Sequence, residues 1–260
     1  MLPTIQVGPL AIQLPGLLLL LGFWLGLSLA EKHAHRHGVT PNQVYTITFT
    51  ALITAVIVAR LLYVARHLPT FTQNPGGILS LNLDLLDPWG AILGAGMVII
   101  YLIHRYKLMP WSLADALAPV LAVLMVTYHM SNLASGDGYG APSELPWAIF
   151  LLGERRHPAQ IYELIAALTV LFIFWPGSPR NRFTPPGRYA LLVLAATASS
   201  RLFFETFRGD STITNGGLRS AQLIAWLIMA LAFWLIAQQA RRASVSNSSQ
   251  PPSNEGASGK

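Results

Sequence analysis

The sequence predicts an all-α, polytopic membrane bundle of about seven transmembrane helices, with the N-terminus outside and the C-terminus in the cytoplasm. Three observations lead there. Charged residues make up only 11% of the chain and hydrophobic residues 53%, whereas a soluble domain carries about 25% charged residues. The charges gather in short clusters, and the stretches between them run to roughly 20 apolar residues, the length that crosses a hydrocarbon core. The bilayer is therefore the expected solvent, and the formal charge of +6 points to anionic lipid head groups rather than nucleic acid. The chain has no cysteine, which excludes disulfides, a thiol nucleophile and cysteine-based metal sites.

Taken in order, apolar runs place helices at 12–30, 43–65, 88–106, 112–133, 160–176, 188–207 and 218–239. The first lacks the basic lead-in and clean small-x-small site of a cleaved signal, so it is expected to remain as a span. The run at 147–152 is too short to cross and is read as interfacial or re-entrant. No internal repeat is evident. Residues 1–243 form a single integral membrane domain in this reading. Residues 244–260, rich in Ser, Asn, Pro and Gly, are expected to be a disordered cytoplasmic tail without a function of its own.

Orientation follows from lysine and arginine in the short loops. On one side lie Lys32, Arg36, Arg105, Lys107, Arg180, Arg182, Arg188, Arg241, Arg242 and Lys260. The other side has Arg66, Arg155, Arg156, Arg208 and Arg219, offset by Asp84, Asp87, Asp137, Glu144, Glu154 and Asp210. The first side is cytoplasmic, which leaves the N-terminus outside.

Two arginines remain, and both fall inside spans. An arginine there costs about 2.5–3.5 kcal/mol or more and usually faces a partner or a water-filled cavity. Arg60 shares a helical face with Tyr63 and His67, either as part of a polar site or as a side chain snorkelling to the outer interface. Arg201, Glu205 and Arg208 follow at i, i+4 and i+7. They read either as an ion pair that eases insertion or as an anion site, with one guanidinium held by the carboxylate and the other free to grip a phosphate. A phospholipid would enter such a site sideways from the membrane.

After the fourth span comes a polar loop running from Asn132 through Gly136, Asp137 and Gly138 to Gly140. Its glycines permit positive φ and close backbone approach, which suits a ligand-binding loop or a tight surface turn. Pro158 is placed to start the fifth span. Beside it, His157 and Glu163 either do acid–base work or anchor the helix, and anchoring is the favoured role. His33, His35 and His37 alternate in a short loop with basic neighbours, which is poor metal geometry, so no metal and no cofactor is expected. Trp89, Trp111 and Trp147 suit interfacial anchoring.

With these segments in place, the chain resembles the bacterial prolipoprotein diacylglyceryl transferases over nearly all of residues 8–242. The resemblance rests on Gly22, Phe23 and Glu31 in the first span, Ala59 to Tyr63 in the second and Gly90 to Gly94 in the third. It continues through Asn132 to Trp147, Arg156 to Glu163 and Arg201 to Glu205. It implies an enzyme of the bacterial cytoplasmic membrane that moves diacylglyceryl from phosphatidylglycerol to the lipobox cysteine thiol of an exported lipoprotein precursor; separately, a monomer is expected. By position, Asn132, Gly136 and Gly140 match the family's signature loop, Arg201 and Glu205 its late-span pair, and Arg60 its second-span arginine. The expected catalytic set is Arg201 and Glu205, matched by position, with His129 or His157 serving as the base in a relocated mechanism in which Arg201 holds the phosphate. The implied substrate-binding set is Arg60, Tyr63, Asn132, Gly136, Asp137, Gly140 and Arg208.

Several positions depart from the family pattern. Trp89 stands where the family has a histidine, and it cannot accept a proton. His129 stands where the signature loop begins with arginine, which loses the planar fork. Ser135 and Asp137 replace an asparagine and a glutamate, and Pro15, Gly16 and Leu17 replace aromatic residues. Two alternatives to transferase activity follow. One is a lipid-binding homologue with a different head group or acceptor, or with no catalysis; the other is a transporter, which the lack of a repeat or of paired interrupted spans argues against.

Overall fold

The architecture comes from a computed structural model that describes residues 4–7, 10–73, 77, 85–178, 185–214 and 216–248, with side chains described between 14 and 242. It is predominantly helical. In chain order the elements are β1 (Thr4–Val7), β2 (Leu10–Gln13), α1 (Leu14–His33), α2 (Pro41–Arg66), α3 (Leu68–Gln73), α4 (Pro88–Tyr106) and α5 (Pro110–Ser135). They continue with β3 (Ile149–Leu151), β4 (Glu154–Arg156), α6 (Ala159–Ile173), α7 (Arg188–Phe204) and α8 (Ser220–Ser248). Six helical stretches are long and apolar enough to cross a membrane, those at Leu14–His37, Pro41–Arg66, Pro88–Tyr106, Pro110–Ser135, Arg188–Phe207 and Ser220–Arg242; Ala159–Ile173 is a shorter apolar helix.

Helix starts are fixed by local chemistry. Thr40 Oγ1 accepts from the Gln43 N–H at 3.3 Å while the Thr40 N–H donates to Gln43 Oε1 at 2.9 Å, and Pro41 occupies the first helical position. This capping box satisfies donors that the first turn leaves over. Asp87 caps α4 by accepting from the Gly90 N–H at 2.9 Å, with Pro88 next. These proline starts place α2 and α5 two residues earlier than hydropathy alone suggests.

Four expectations need correction. The all-α reading left out two antiparallel hairpins, β1–β2 and β3–β4. Strands of three or four residues are too short for a period-two pattern to stand out in an apolar chain. The polar loop begins at Gly136 rather than Asn132, because α5 runs on to Ser135. Arg201, Glu205 and Arg208 do not share one α-helical face, because α7 ends at Phe204 and Glu205–Phe207 form a 3-10 turn. The helix α8 continues to Ser248, past the expected start of the tail; residues 249–260 lie outside the described set.

The chain divides into two compact units, Phe23–Leu121 and Met1–Gly22 with Ala122–Lys260. In the first, α2 and α4 pack backbone to backbone. A Cβ on Gly90 would come within 2.7 Å of Ala59 Cα, and one on Gly94 within 2.7 Å of the Thr54 carbonyl oxygen. The spacing is the small-xxx-small pattern that lets membrane helices approach closely. Arg60 donates to the carbonyls of Leu85 (2.9 Å) and Gly77, and its guanidinium lies over the rings of Tyr63 and Phe71. Arg66 bonds the capping residue Asp87 at 2.5 Å.

In the second unit, α7 packs on α8 through Leu191, Ala195 and Ala232. Its helices are tied together at both ends. At one end, Ser131 near the end of α5 donates to the carbonyl of Pro15 at 3.1 Å, and Arg219 before α8 reaches the Glu205 carbonyl at 2.7 Å. At the other, the Tyr189 hydroxyl of α7 donates to the Phe174 carbonyl after α6 at 2.7 Å, and Gln239 of α8 donates to the Pro186 carbonyl at 3.2 Å.

Candidate functional site

The first of those ends carries a small sheet. Strand β4 pairs with β3 on one side, and on the other with the segment after the polar loop, through Ser143 N–H to Arg155 O at 2.9 Å and His157 N–H to Ala141 O at 3.0 Å. That segment pairs in turn with the chain leaving α7, through Ala141 N–H to Phe207 O and Gly209 N–H to Tyr139 O, both 2.8 Å. Four short segments thus hold the polar loop against Arg208.

Each loop glycine has its own reason. Gly136 and Gly138 adopt φ of 84° and 71°, which side chains rarely tolerate. Gly140 is needed for approach: a Cβ there would lie 2.1 Å from the His157 carbonyl oxygen.

The centre of the site is Glu163, on the first turns of α6 and only 1% exposed. Its Oε1 accepts from Arg201 Nη1 at 2.7 Å. Its Oε2 lies 3.2 Å from Arg208 Nη1 and 3.3 Å from His129 Nδ1, the latter an ion-pair distance without hydrogen-bond alignment. Arg201 Nη2 bridges to Glu205 Oε2 at 3.0 Å, and Glu205, also 1% exposed, accepts from the Ser211 hydroxyl at 2.6 Å. A buried charge requires this degree of pairing.

The two arginines differ in what they leave over. Arg208 is forked onto Asp210 through Nε (2.9 Å) and Nη2 (2.7 Å), with Nη1 on Glu163. Burial pulls its guanidinium toward deprotonation, but Glu163, Asp210 and Glu205 more than offset this, so its pKa stands above the ordinary arginine value. Arg201 is 28% exposed in its side chain; Nη1 donates to Glu163, while Nη2 lies at ion-pair distance from Glu205 Oε2 without hydrogen-bond alignment, so most of the about five donors on a guanidinium are not spent on carboxylates.

Arg201, Glu163 and His129 line a cavity of about 330 Å³ among α5, α6, α7 and α8, whose remaining wall is largely apolar, including Met125, Val170, Leu194 and Ile228. A second groove runs between α6 and α7 over Ile165, Thr169 and Phe204. Such a cavity, apolar along its length with a few convergent charges, is the usual form of a small-molecule site, and here it suits an amphiphile.

Several buried polar atoms near the loop have no hydrogen-bond partner: Asn132 Nδ2, Arg156 Nε and His157 Nδ1. Unsatisfied buried groups are rare, and these would be met by a polar ligand. Asp137 is exposed and takes part through its backbone, its carbonyl accepting from Gln160 Nε2 at 2.9 Å. Among the described residues, no group of three or more His, Asp or Glu side chains is placed to hold a metal.

Of the residues expected from sequence, the structure gathers His129, Asn132, Gly136, Asp137, Gly140, His157, Arg201, Glu205 and Arg208 in one unit, around one small sheet and helix-end cluster. Arg60 and Tyr63 belong to the other unit, where they pack together. The residue that sequence reasoning underrated is Glu163. A signal was present: it shares the buried stripe of α6 with Ala159, Gln160, Ala167 and Val170, and a carboxylate on a bundle-facing stripe demands a cation.

The model of the prolipoprotein diacylglyceryl transferase family matches residues 3–238. A relative from Synechococcus elongatus, named phosphatidylglycerol--prolipoprotein diacylglyceryl transferase, is 30% identical over 90% of this chain and 85% of its own length. Relatives of the same name from Nostoc sp. and Finegoldia magna are 29% and 27% identical, covering 87% and 82% of this chain and 85% and 86% of theirs.

Proposed function

The chain belongs to the prolipoprotein diacylglyceryl transferase family, and from that premise we propose that it transfers diacylglyceryl from phosphatidylglycerol to the lipobox cysteine thiol of an exported lipoprotein precursor. The observation that carries this is the apolar cavity ending at Arg201, His129 and Glu163. It offers a place for an acyl chain and, at its charged end, donors for a phosphate.

The reaction exchanges a C–O bond for a C–S bond. The thiol gives its proton to a base, sulfur attacks the glycerol carbon that carries the phosphate ester, and glycerol phosphate leaves with the electron pair of the broken bond. Negative charge grows on the departing phosphate, so a guanidinium fixed in advance stabilises the transition state more than the ground state. Arg201 has that role: Glu163 and Glu205 hold it from two sides and its remaining donors can meet phosphate oxygens. His129 is the base, and the Glu163 carboxylate 3.3 Å from its Nδ1 stabilises the imidazolium that forms when it takes the proton. Asn132 and His157 serve the polar part of the substrates, Glu205 and Arg208 hold the frame, and the loop of Gly136, Asp137 and Gly140 shapes the entrance. Arg60 and Tyr63 are assigned to substrate binding from their positions in the family pattern.

The threading of the second unit supports seven crossings, and the lysine and arginine distribution supports placing the site and the N-terminus on the outer face of the bacterial cytoplasmic membrane. Helices α6 and α7 are tied at both their ends, so if α7 crosses, α6 crosses with it. The second reading, a lipid-binding homologue without turnover, is favoured by Trp89, which is 66% exposed and cannot accept a proton.

Incubation of the purified protein with labelled phosphatidylglycerol and a lipobox peptide separates the two. Thioether-lipidated peptide is expected, and Arg201→Ala should abolish it while the fold persists. Lipid binding without product, beside a working control enzyme, would establish the second reading instead.

A further inference from the structure

Hairpin β3–β4 is built unlike a water-facing hairpin. An antiparallel pair with one solvated face alternates apolar and polar residues, yet Ile149, Phe150 and Leu151 are apolar on both faces. The turn reads Leu152–Gly153, and Leu152 holds a left-handed φ of 55° where turns normally use Gly, Asn or Asp. Phe150 and Leu152 are 76% and 65% exposed. A second turn in the same unit, closed by the Ile213–Arg219 bridge, exposes Ile213 and Leu218 as well.

Where these tips are carried decides what covers them. Strand β4 is bonded through the 141–143 segment to the chain leaving α7, and these segments lie close after the ends of two span-length stretches, Pro110–Ser135 and Arg188–Phe207. Leu133 and Phe203, at those helix ends, are exposed like the rest of the apolar belt. The hairpin therefore continues the edge of that belt. Trp147 at its base donates its indole N–H to the Tyr162 hydroxyl at 2.6 Å, on the first turn of α6. Trp and Tyr at such a level are the side chains of the membrane–water interface. Directly across the hairpin from Phe150 stands exposed Arg155, an apolar anchor paired with a cation suited to lipid phosphate.

We propose that the β3–β4 tip, with exposed Ile213 and Leu218, is a membrane-surface anchor that seats in the head-group layer beside the site, so that phospholipid passes to Arg201 from the leaflet without crossing water. The anchor itself rests on the membrane placement of the helices; the delivery of lipid to Arg201 rests on the transferase reading. An extended acceptor peptide lying along the apolar strand β3 is the competing occupant.

The absence of native cysteine makes the test clean. Leu152→Cys, labelled with an environment-sensitive NBD dye, is reconstituted into vesicles of phosphatidylcholine and phosphatidylglycerol without any acceptor peptide. Emission is expected to be lost when lipids bear a shallow doxyl quencher and to be protected from aqueous iodide. Full iodide quenching with no doxyl effect would overturn the anchor. So would protection that arises only when lipobox peptide is added, which would assign the hairpin to the acceptor. Phe150→Cys repeats the measurement if Leu152→Cys does not assemble. The readout needs no turnover, so an inactive protein with a buried tip would sink the transferase reading and leave the anchor standing.

Discussion

At the scale of single residues, Glu163 decides the electrostatics of the site. It is contacted by Arg201, Arg208 and His129, so removing its charge should disturb all three at once. Glu163→Gln keeps the shape but leaves two guanidinium groups short of a carboxylate, and breaking a buried pair costs about 3–5 kcal/mol. The expected outcome is a clearly lower thermal midpoint in detergent together with loss of lipidated product. If turnover survives, Glu163 is only a helix anchor, as its sequence setting first suggested. His129→Gln separates proton transfer from framework: turnover should fall about 10²–10⁴-fold, while phosphatidylglycerol still binds and the melting curve stays close to that of the parent. Equal loss of binding would move His129 from base to phosphate ligand. What made Arg201 and Glu205 legible in the sequence was their cost, since charges inside an apolar run stand out. Glu163 sits at the start of its span, where a carboxylate is ordinary, and only contacts 38 and 45 positions away along the chain bring it to Arg201 and Arg208.

At the scale of elements, the long helices were plain because runs of roughly 20 apolar residues have few other uses in a chain this poor in charge. The strands were not, because pairings such as Gly140 with Arg208 and Pro142 with Arg156 join segments distant in sequence and leave no local period. Those pairings make Gly140 a test of the sheet. In Gly140→Ala the added carbon would fall 2.1 Å from a backbone oxygen of His157, an atom that cannot rotate away, so the sheet must open and the polar loop must leave Arg208. Turnover should be lost, and protease sensitivity should rise in the 136–143 loop. Gly153→Ala is the matched control: its φ of 84° strains the new side chain, but nothing lies within 4 Å. Its cost should stay near the about 1–2 kcal/mol of a left-handed L-residue, with activity kept. Equal effects would mean that backbone strain, and not the approach to His157, explains Gly140.

At the scale of the whole molecule, α6 decides how many times the chain crosses. Its 15 residues give about 22 Å at 1.5 Å per residue, short of the roughly 30 Å hydrocarbon core, so hydropathy and length alone leave it ambiguous. Its partners argue for a crossing. Glu163, near its start, meets Arg201 at the end of α7, while Phe174, just past its end, accepts from Tyr189 at the start of α7. The two helices therefore run antiparallel between the same two levels, and the mismatch is one that local thinning of the bilayer accommodates at small cost. With α6 crossing, the loop at Ser143 and the turn at Ser211 lie on one side, and Lys107 and Ser178 lie on the other. Single-cysteine variants at these four positions, in a chain that has no other cysteine, report this directly. A membrane-impermeant maleimide applied to intact spheroplasts is expected to label positions 143 and 211 and to leave 107 and 178 unlabelled until the membrane is opened. If α6 only dips into the bilayer, Ser178 and Ser143 share a face and label together, and the outward placement of the N-terminus relative to the C-terminus fails with it.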